Sequence, residues 1–314
     1  MPKTVRAGDA PLVRPILKWA GGKRQLLPAL RPYYPAAFAR YVEPFVGSGA
    51  VFLDLHNRGL LAGREVQLSD INADVIGCYR TVRDSVSQVI DELRRLERGH
   101  REGGRQHFYE IRDRRFNPTR MEIHASEQPA AGYTPELAAM LIYLNRTGYN
   151  GLFRVNASGR FNVPAGRQAS VRICDADNLN RLADAFARNG VSLTVRTFEA
   201  ALATVEPGDF VYLDPPYAPL SRTAHFTSYT AGRFGPVEQE RLQHAVVALA
   251  RHKAHILLSN SVAPEITALY AKNVGVRLAG LKTRKVEARR AINSRASGRG
   301  AILEYLITNV KVVD

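Results

Sequence analysis

The sequence has 314 residues, of which 45% are hydrophobic and 23% charged, so it can bury a large core like an ordinary globular protein. Its formal net charge of +15 indicates a polyanionic partner such as nucleic acid, unless the arginine content only reflects a GC-rich genome. The two cysteines form no disulfide framework or zinc pattern, and no apolar run reaches the roughly 20 residues of a membrane helix, so we predict a cytoplasmic protein without metal or membrane partner.

The first motif is a glycine pair within residues 16–24 (ILKWAGGKR). Gly21 and Gly22 allow the backbone to approach a ligand closely. Lys23 is placed to pair with a carboxylate, and Trp19 is suited to cover an aromatic or sulfonium group through a cation–π contact. The alternative is an ordinary turn with a tryptophan in the core.

Two predicted strand ends follow. Residues 41–53 (YVEPFVGSGAVFL) predict a strand, a glycine turn and the start of a helix. The turn lacks the GxGxxG spacing of dinucleotide sites, so we expect a ligand without a pyrophosphate against Gly47 and Gly49. Residues 65–70 predict a second strand ending at Asp70, which either binds ribose hydroxyls or caps the next helix. Its place in the strand order favours the ribose role.

The next hundred residues are predicted to be mainly helical. Apolar spacing predicts one amphipathic helix over 73–96, and a second helix begins with Thr134 as N-cap and Pro135 in its first turn. Most of the eleven arginines between Arg80 and Arg120 are typical of a solvated helix surface, and the arginine-rich stretch 98–128 has no assigned role. The polar stretch 145–167 combines Tyr, Phe, Asn and Arg, which contact or wedge between bases, although a plain surface hairpin has the same composition.

The strongest chemical signal is the sequence Asp214, Pro215, Pro216, Tyr217, directly after the buried strand 209–213. Ligands bind at the carboxyl ends of strands in open α/β sheets. The prolines fix φ and lack an N–H, which leaves the Asp214 carboxylate and the Pro215 carbonyl as a rigid pair of acceptors beside the ring of Tyr217. This arrangement suits a planar ligand with an amino group. An ordinary proline turn is the alternative.

Helices and strands alternate again after residue 173. Apolar runs along the whole chain predict seven strands, centred near residues 42, 67, 193, 211, 257, 278 and 304. The basic link 282–300 predicts a mobile loop that contacts phosphate groups.

Together these motifs resemble those of the Dam-type adenine-N6 DNA methyltransferases of the D12 class, in the family's order and over nearly the whole chain after residue 15. The matching segments are residues 18–23, 43–49, 68–72, 145–166, 214–217, 226–230, 257–261 and 291–294. The resemblance implies an α/β fold with a Rossmann-like seven-stranded methyltransferase sheet whose last strand is antiparallel. It also implies a catalytic, cofactor-binding domain of residues 1–72 and 173–314, with a helical target-recognition insert of residues 73–172 that binds DNA.

The resemblance further implies which residues act. The cofactor is then S-adenosyl-L-methionine, bound by Trp19, Lys23, Phe45, Gly47, Gly49, Asp70 and Asp214. The catalytic residues are then Asp214, Pro215, Pro216 and Tyr217, which act on the N6 amino group of an adenine flipped out of duplex DNA. The DNA contacts are then Tyr149, Asn150, Leu152, Arg154, Pro164, Arg167, Arg289 and Asn293. Among these, Arg154 reads the guanine of a GA-containing site such as GATC.

The implied partner is double-stranded DNA, in a cytoplasmic, nucleoid-associated enzyme that works alone or with a cognate restriction endonuclease. A cytosine-C5 mechanism is disfavoured, because neither Cys78 nor Cys174 follows a proline as that nucleophile does. Two alternatives stay open. One is an amino-methyltransferase acting on cytosine-N4 or on RNA, and the other is a catalytically weak or inactive DNA-binding relative.

Overall fold

The computed structural model describes residues 11–19, 23–167, 171–188, 190–217, 234–289 and 301–312. Within these ranges seven strands form one sheet in the order β3-β2-β1-β4-β5-β7-β6. The strands are β1 (Tyr41–Glu43), β2 (Val66–Asp70), β3 (Val191–Val195), β4 (Phe210–Leu213), β5 (His255–Ser261), β6 (Lys282–Arg289) and β7 (Ala301–Thr308). Strands β1 to β5 pair in parallel, and β7 is antiparallel to both of its neighbours. The predicted α/β fold, with a seven-stranded sheet and an antiparallel last strand, is confirmed.

The sixth strand lies elsewhere than predicted. The region near residue 278 is the short helix Val274–Leu278, capped by the Asn273 side chain, which accepts from the N–H of Val276. Strand β6 instead occupies Lys282–Arg289, inside the link predicted to be a mobile loop, and pairs with β7 residue for residue. It is a charged strand at the edge of the sheet, so it carries no apolar pattern; charges on an edge strand also discourage pairing with other chains.

Helices cover the sheet and build the insert between β2 and β3. They are α1 (Leu27–Leu30), α2 (Ala50–Asn57), α3 (Ala73–Glu110), α4 (Asn117–His124), α5 (Pro135–Thr147), α6 (Ala176–Ala187), α7 (Phe198–Leu202), α8 (Pro236–Arg251), α9 (Pro264–Ile266) and α10 (Val274–Leu278). Short 3₁₀ turns occupy Lys23–Gln25, Arg31–Tyr33, Pro129–Gly132 and Tyr149–Gly151, and π-helical turns occupy Ile111–Phe116 and Thr267–Ala271. None of the helices in the described ranges combines the length and the apolar composition needed to cross a membrane.

The caps of the two long insert helices follow from the sequence. The Asn72 side chain accepts from the N–H of Asp74 at the start of α3. The Thr134 side chain accepts from the N–H of Leu137 at the start of α5, with Pro135 in the first turn, as predicted. Helix α3 runs on to Glu110, beyond the predicted end near residue 96, and non-helical backbone angles interrupt it at Ser85, inside the predicted helix, and at Gly104, which has a φ of 49°. The predicted helix was therefore too short.

The core divides according to the two faces of the sheet. Phe210 and Tyr212 of β4 point into a large cluster that continues through helices α3, α5 and α6, whereas Val211 and Leu213 point into a smaller cluster with α8. Successive side chains of a strand alternate between faces, and β4 is buried on both of them. Consequently only the ends of the central strands are open to a ligand.

Candidate active site

Three carboxylates stand at the carboxyl ends of three adjacent parallel strands. Asp70 ends β2, Glu43 ends β1 and Asp214 directly follows β4, and these strands are neighbours in the sheet. The chain winds away from β1 in one direction through β2 and in the other through β4, which makes this the switch point where α/β sheets bind ligands. The sequence-predicted residues Asp70 and Asp214 are thus brought to one edge, with Glu43 between them.

Asp70 fixes the glycine turn after β1. Its two carboxylate oxygens accept from the N–H of Gly47 at 3.0 Å and from the N–H of Asn72 at 2.9 Å. Burial raises its pKa to about 6. Asn72 rather than Asp70 caps the following helix, so the alternative of Asp70 as a cap is wrong.

Trp19 lies against the same turn. Gly47 has a φ of +45°, and a Cβ placed on it would lie 2.8 Å from Cδ1 of the Trp19 ring, so only glycine fits there. Gly49 follows in the left-handed region, with a φ of 67°. The Phe45 ring stacks on that of Phe198, with centroids 5.7 Å apart.

Glu43 is a buried acid that the sequence analysis did not single out. It is 2% exposed, and its Oε2 accepts from the Tyr41 hydroxyl at 2.8 Å. Burial raises its pKa to about 8. The available signal was an acid closing an otherwise apolar strand, next to the glycine turn.

The turn at residues 214–217, here called the proline turn, carries an ion pair. Lys23 Nζ lies 2.8 Å from Asp214 Oδ1, and the Ser259 hydroxyl donates to the same oxygen at 3.1 Å. The pKa of Asp214 is raised by burial, an effect that the Lys23 ammonium partly offsets. The predicted pairing of Lys23 with a carboxylate is present, and that carboxylate is the one at the end of β4.

A second acid reaches the proline turn from β7. The Tyr217 hydroxyl donates to Glu304 Oε2 at 2.6 Å, and Lys23 Nζ lies 4.0 Å from the same oxygen. Lys23 Nζ also lies 4.5 Å from the centroid of the Tyr217 ring. One ammonium therefore sits between two carboxylates and over an aromatic face. The sequence analysis missed Glu304, whose only signal was an acid within the apolar strand Ala301–Thr308.

A buried chain of amides holds the proline turn from behind. Gln239 of α8 donates to the Pro216 carbonyl at 2.9 Å and accepts from Asn260 Nδ2 at 3.0 Å. The Asn260 side-chain oxygen in turn accepts from the N–H of Ser261 at 2.8 Å. Because a main-chain N–H can only donate and a carbonyl can only accept, the direction of both amides is fixed. Gln239 and Asn260 were not singled out by the sequence.

The predicted hairpin is present within the stretch 145–167, between the bridged residues Gly148 and Ala165, whereas residues 145–147 are the last residues of α5. Its arms meet at isolated bridges between Gly148 and Ala165 and between Val155 and Phe161. Most of the predicted DNA contacts lie on it with at least part of their surface exposed, namely Tyr149, Asn150, Leu152, Arg154, Pro164 and Arg167.

The base of the hairpin is tied to the first motif. The Asn145 side chain accepts from the N–H of Lys18 at 2.7 Å and donates to the carbonyls of Lys18 and Gly151. The rings of Trp19 and Phe153 stack with centroids 5.7 Å apart. Asn145 therefore links the glycine-turn side of the site to the hairpin.

Some predicted positions cannot be placed. Gly21, Gly22, Asn293 and residues 226–230 lie outside the described residues, and Arg289 ends β6 with only its main chain described. Among the residues that the structure does describe, no group of three or more His, Cys, Asp or Glu side chains is arranged to hold a metal ion.

The sequence matches one protein family and is similar to several known proteins. Residues 19–292 match the family model for D12 class N6 adenine-specific DNA methyltransferases. The chain is 34% identical over 299 residues to a Type II methyltransferase of Lactococcus lactis subsp. cremoris, covering 95% of each protein. It is 35% identical over 307 residues to a Type II methyltransferase of Methanocaldococcus jannaschii, covering 95% of this chain and 99% of the relative. It is 33% identical over 294 residues to a DNA adenine methylase of Serratia marcescens, covering 93% of this chain and 97% of the relative.

Proposed function

Because the chain belongs to the D12 class of N6 adenine-specific DNA methyltransferases, we propose that it uses S-adenosyl-L-methionine to methylate an adenine flipped out of duplex DNA. The observation that carries this proposal is the contact of Lys23 with the proline turn. The Lys23 ammonium, an N–H donor, lies 2.8 Å from Asp214 Oδ1 and 4.5 Å from the centroid of the Tyr217 ring. An aromatic amino group needs the same two contacts, an acceptor for its hydrogens and a face for its ring.

The proposed mechanism assigns separate tasks to the residues of the proline turn. The Asp214 carboxylate and the Pro215 carbonyl accept the two amino hydrogens of adenine, which keeps the nitrogen lone pair available for attack. Tyr217 stacks on the base, and its bond to Glu304 fixes the plane of its ring. The developing positive charge on the nitrogen is stabilised by Asp214, so this residue acts most strongly in the transition state. When bound, S-adenosyl-L-methionine supplies an electrophilic methyl group on a sulfonium.

The residues at the strand ends fit such a cofactor. The glycine turn has no GxGxxG pattern, and a ligand without phosphate suits it. Asp70 is oriented by two N–H groups beside Trp19, an aromatic ring that suits a cation. The proposed cofactor residues are Trp19, Lys23, Phe45, Gly47, Gly49, Asp70 and Asp214.

DNA is proposed to bind along the insert and the basic edge strand. Residues 73–172 form the proposed recognition domain, with residues 1–72 and 173–314 as the catalytic domain. Arg154 reads the guanine of a GA-containing site such as GATC, and the other hairpin contacts are Tyr149, Asn150, Leu152, Pro164 and Arg167. Arg289, at the end of β6, and Asn293, later in the chain, contact the DNA backbone. The enzyme is proposed to act in the cytoplasm at the nucleoid, either alone or with a cognate restriction endonuclease.

The proposal is tested by expressing the chain in a host that lacks adenine methylation and sequencing the plasmid for modified bases. We expect N6-methyladenine at one short motif containing GA, and none with the matched Asp214→Ala chain. Modification confined to cytosine or to RNA would instead favour the other amino-methyltransferases. Unmodified nucleic acid from the wild type would favour an inactive DNA-binding relative.

A further inference from the structure

The returning arm of the hairpin, residues 159–163, has two main-chain edges. Its inner edge pairs with the outgoing arm, where the N–H of Asn162 donates to the Arg154 carbonyl at 3.1 Å. Its outer edge faces the supporting helix segment, which we define as residues 111–124 and which lies within the arginine-rich stretch. In an extended strand, every second residue presents its N–H and C=O to the same edge. Residues 161 and 163 therefore share the outer edge, and the carbonyl of Gly159, in the turn just before them with a φ of 76°, faces the same side.

Three side chains of the supporting helix segment bind the main chain on this outer side. Arg112 donates to the Val163 carbonyl at 3.0 Å. Asn117 accepts from the N–H of Phe161 at 2.7 Å and donates to its carbonyl at 3.0 Å. Arg120 donates to the Gly159 carbonyl. Side chains of a helix thus replace the neighbouring strand that would otherwise pair with this edge.

These side chains are themselves fixed. The Arg120 guanidinium binds both carboxylate oxygens of Asp74, at 2.7 to 3.0 Å. Asp74 is fully buried and also accepts from the Tyr133 hydroxyl at 2.8 Å. The Arg112 guanidinium lies 4.6 Å from the centroid of the Tyr109 ring. The outer edge therefore rests on anchored groups and not on free surface chains.

From this geometry we infer that Arg112, Asn117 and Arg120 are positioning residues for sequence reading. They fix the main chain on both sides of Asn162, and the Asn162 side chain in turn accepts from Arg154 Nε at 2.8 Å. The direction of the Arg154 guanidinium is therefore set from the outer edge. The inference rests on the proposed function of the hairpin, and it gives a role to three residues of the arginine-rich stretch.

The decisive variant is Arg112→Met, because Arg112 is partly exposed and its loss leaves the buried pair of Asp74 and Arg120 intact. The matched control is Arg114→Met, which removes the same charge from an exposed position two residues away in the same segment. Single-turnover methylation is measured on a GATC duplex and on duplexes with the first G·C pair replaced. We expect Arg112→Met to lose roughly tenfold in discrimination at that pair, since a bidentate arginine supplies about this much. Arg112→Lys restores part of it, and Arg114→Met discriminates like the wild type.

A wild-type level of discrimination in Arg112→Met, or an equal loss in Arg114→Met, overturns the inference. Hydrogen exchange provides a readout independent of methylation. Asn117→Asp keeps the acceptor for the Phe161 N–H but opposes the Phe161 carbonyl with a carboxylate, so residues 159–163 should exchange faster, and unchanged exchange also overturns the inference. A wild type that methylates all the duplexes equally is a failure of the proposed reading by Arg154, and so is distinct from both results.

Discussion

The proline turn and the hairpin are held in place by different means. The proline turn continues a fully buried central strand, and contacts from β5, β7, α8 and the turn Lys23–Gln25 converge on it. The hairpin has two isolated bridges and otherwise depends on side chains such as Asn117 and Arg120. A sheet end therefore provides a fixed place for chemistry, while a hairpin held by side chains can vary in sequence without disturbing the sheet. Changes to one region should leave the function of the other intact.

The largest expected effect separates the two regions at Asp214. Asp214→Ala should slow methyl transfer by on the order of 10³-fold, because the carboxylate stabilises charge that develops in the transition state. DNA affinity and its dependence on sequence should be preserved, since the described contacts of Asp214 are with Lys23 and Ser259 and not with the hairpin. Single-turnover kinetics measure the rate of methyl transfer, and filter binding measures the DNA affinity. Transfer at a rate near that of the wild type would show that the proline turn is not the catalytic site.

The converse experiment changes only the hairpin. Arg154→Ala should reduce discrimination at the first base pair of the site by about 1–3 kcal/mol, because a bidentate contact to guanine is lost. Calorimetry without DNA should give an unchanged affinity for S-adenosyl-L-methionine. If the wild type itself accepts all four base pairs at that position, Arg154 does not read guanine.

A smaller effect tests whether the proline turn needs its hydrogen bond from Gln239. Gln239→Met keeps the size of the side chain but removes both hydrogen bonds of its amide group. The Pro216 carbonyl and the Asn260 side chain each lose a hydrogen-bond partner. We expect single-turnover methylation to slow roughly tenfold, because small displacements of reacting groups are costly. Gln243→Met is the control, since Gln243 is similarly buried one turn further along α8. Equal losses in the two variants would point to general destabilisation of the helix.

The sequence predicts the position of a residue best when that position is set by the strand to which the residue belongs. The apolar runs gave six of the seven strand positions, and the order of acids after β2 and β4 gave Asp70 and Asp214. β6 was misplaced because an edge strand rich in lysine and arginine has no apolar pattern. Glu304 and Gln239 were missed for another reason. Their contacts arise only when β7 and α8 pack beside the proline turn, and local spacing contains no information about that packing.

The same limit applies to the hairpin. Its turn residues and its polar composition are visible in the sequence. The contacts of Arg112, Asn117 and Arg120 are not visible in the sequence, because they join side chains of a helical segment to the main chain of a separate segment, at residues 163, 161 and 159. The arginine-rich stretch was therefore interpreted as solvated surface, although Arg120 is only 7% exposed.

A pH experiment tests the protonation state of Glu43, the buried acid at the strand ends beside the proline turn. Burial raises the pKa of Glu43 to about 8 from an ordinary 4.5, so between these values the native state keeps a proton that the unfolded chain releases. The free energy of unfolding should therefore fall as pH rises through this window, by at most about 1.4 kcal/mol per pH unit. Denaturant unfolding of the wild type and of Glu43→Gln at several pH values measures how much of the pH dependence of the unfolding free energy is due to Glu43. A slope that is the same in both would mean that Glu43 is ionised in the native state.

The direct pairing of β2 with β3 affects the order in which the chain folds. Asp70 pairs with Val195, yet the whole insert lies between them in the chain. Closing so long a loop costs little more than closing a shorter one at equilibrium, but distant contacts slow folding. We therefore expect α5 to gain protection from pulsed hydrogen exchange before β3 does. If so, Asp70 acquires its edge neighbour late, and a nascent chain that stalled within the insert would lack the finished strand end at which the cofactor is proposed to bind.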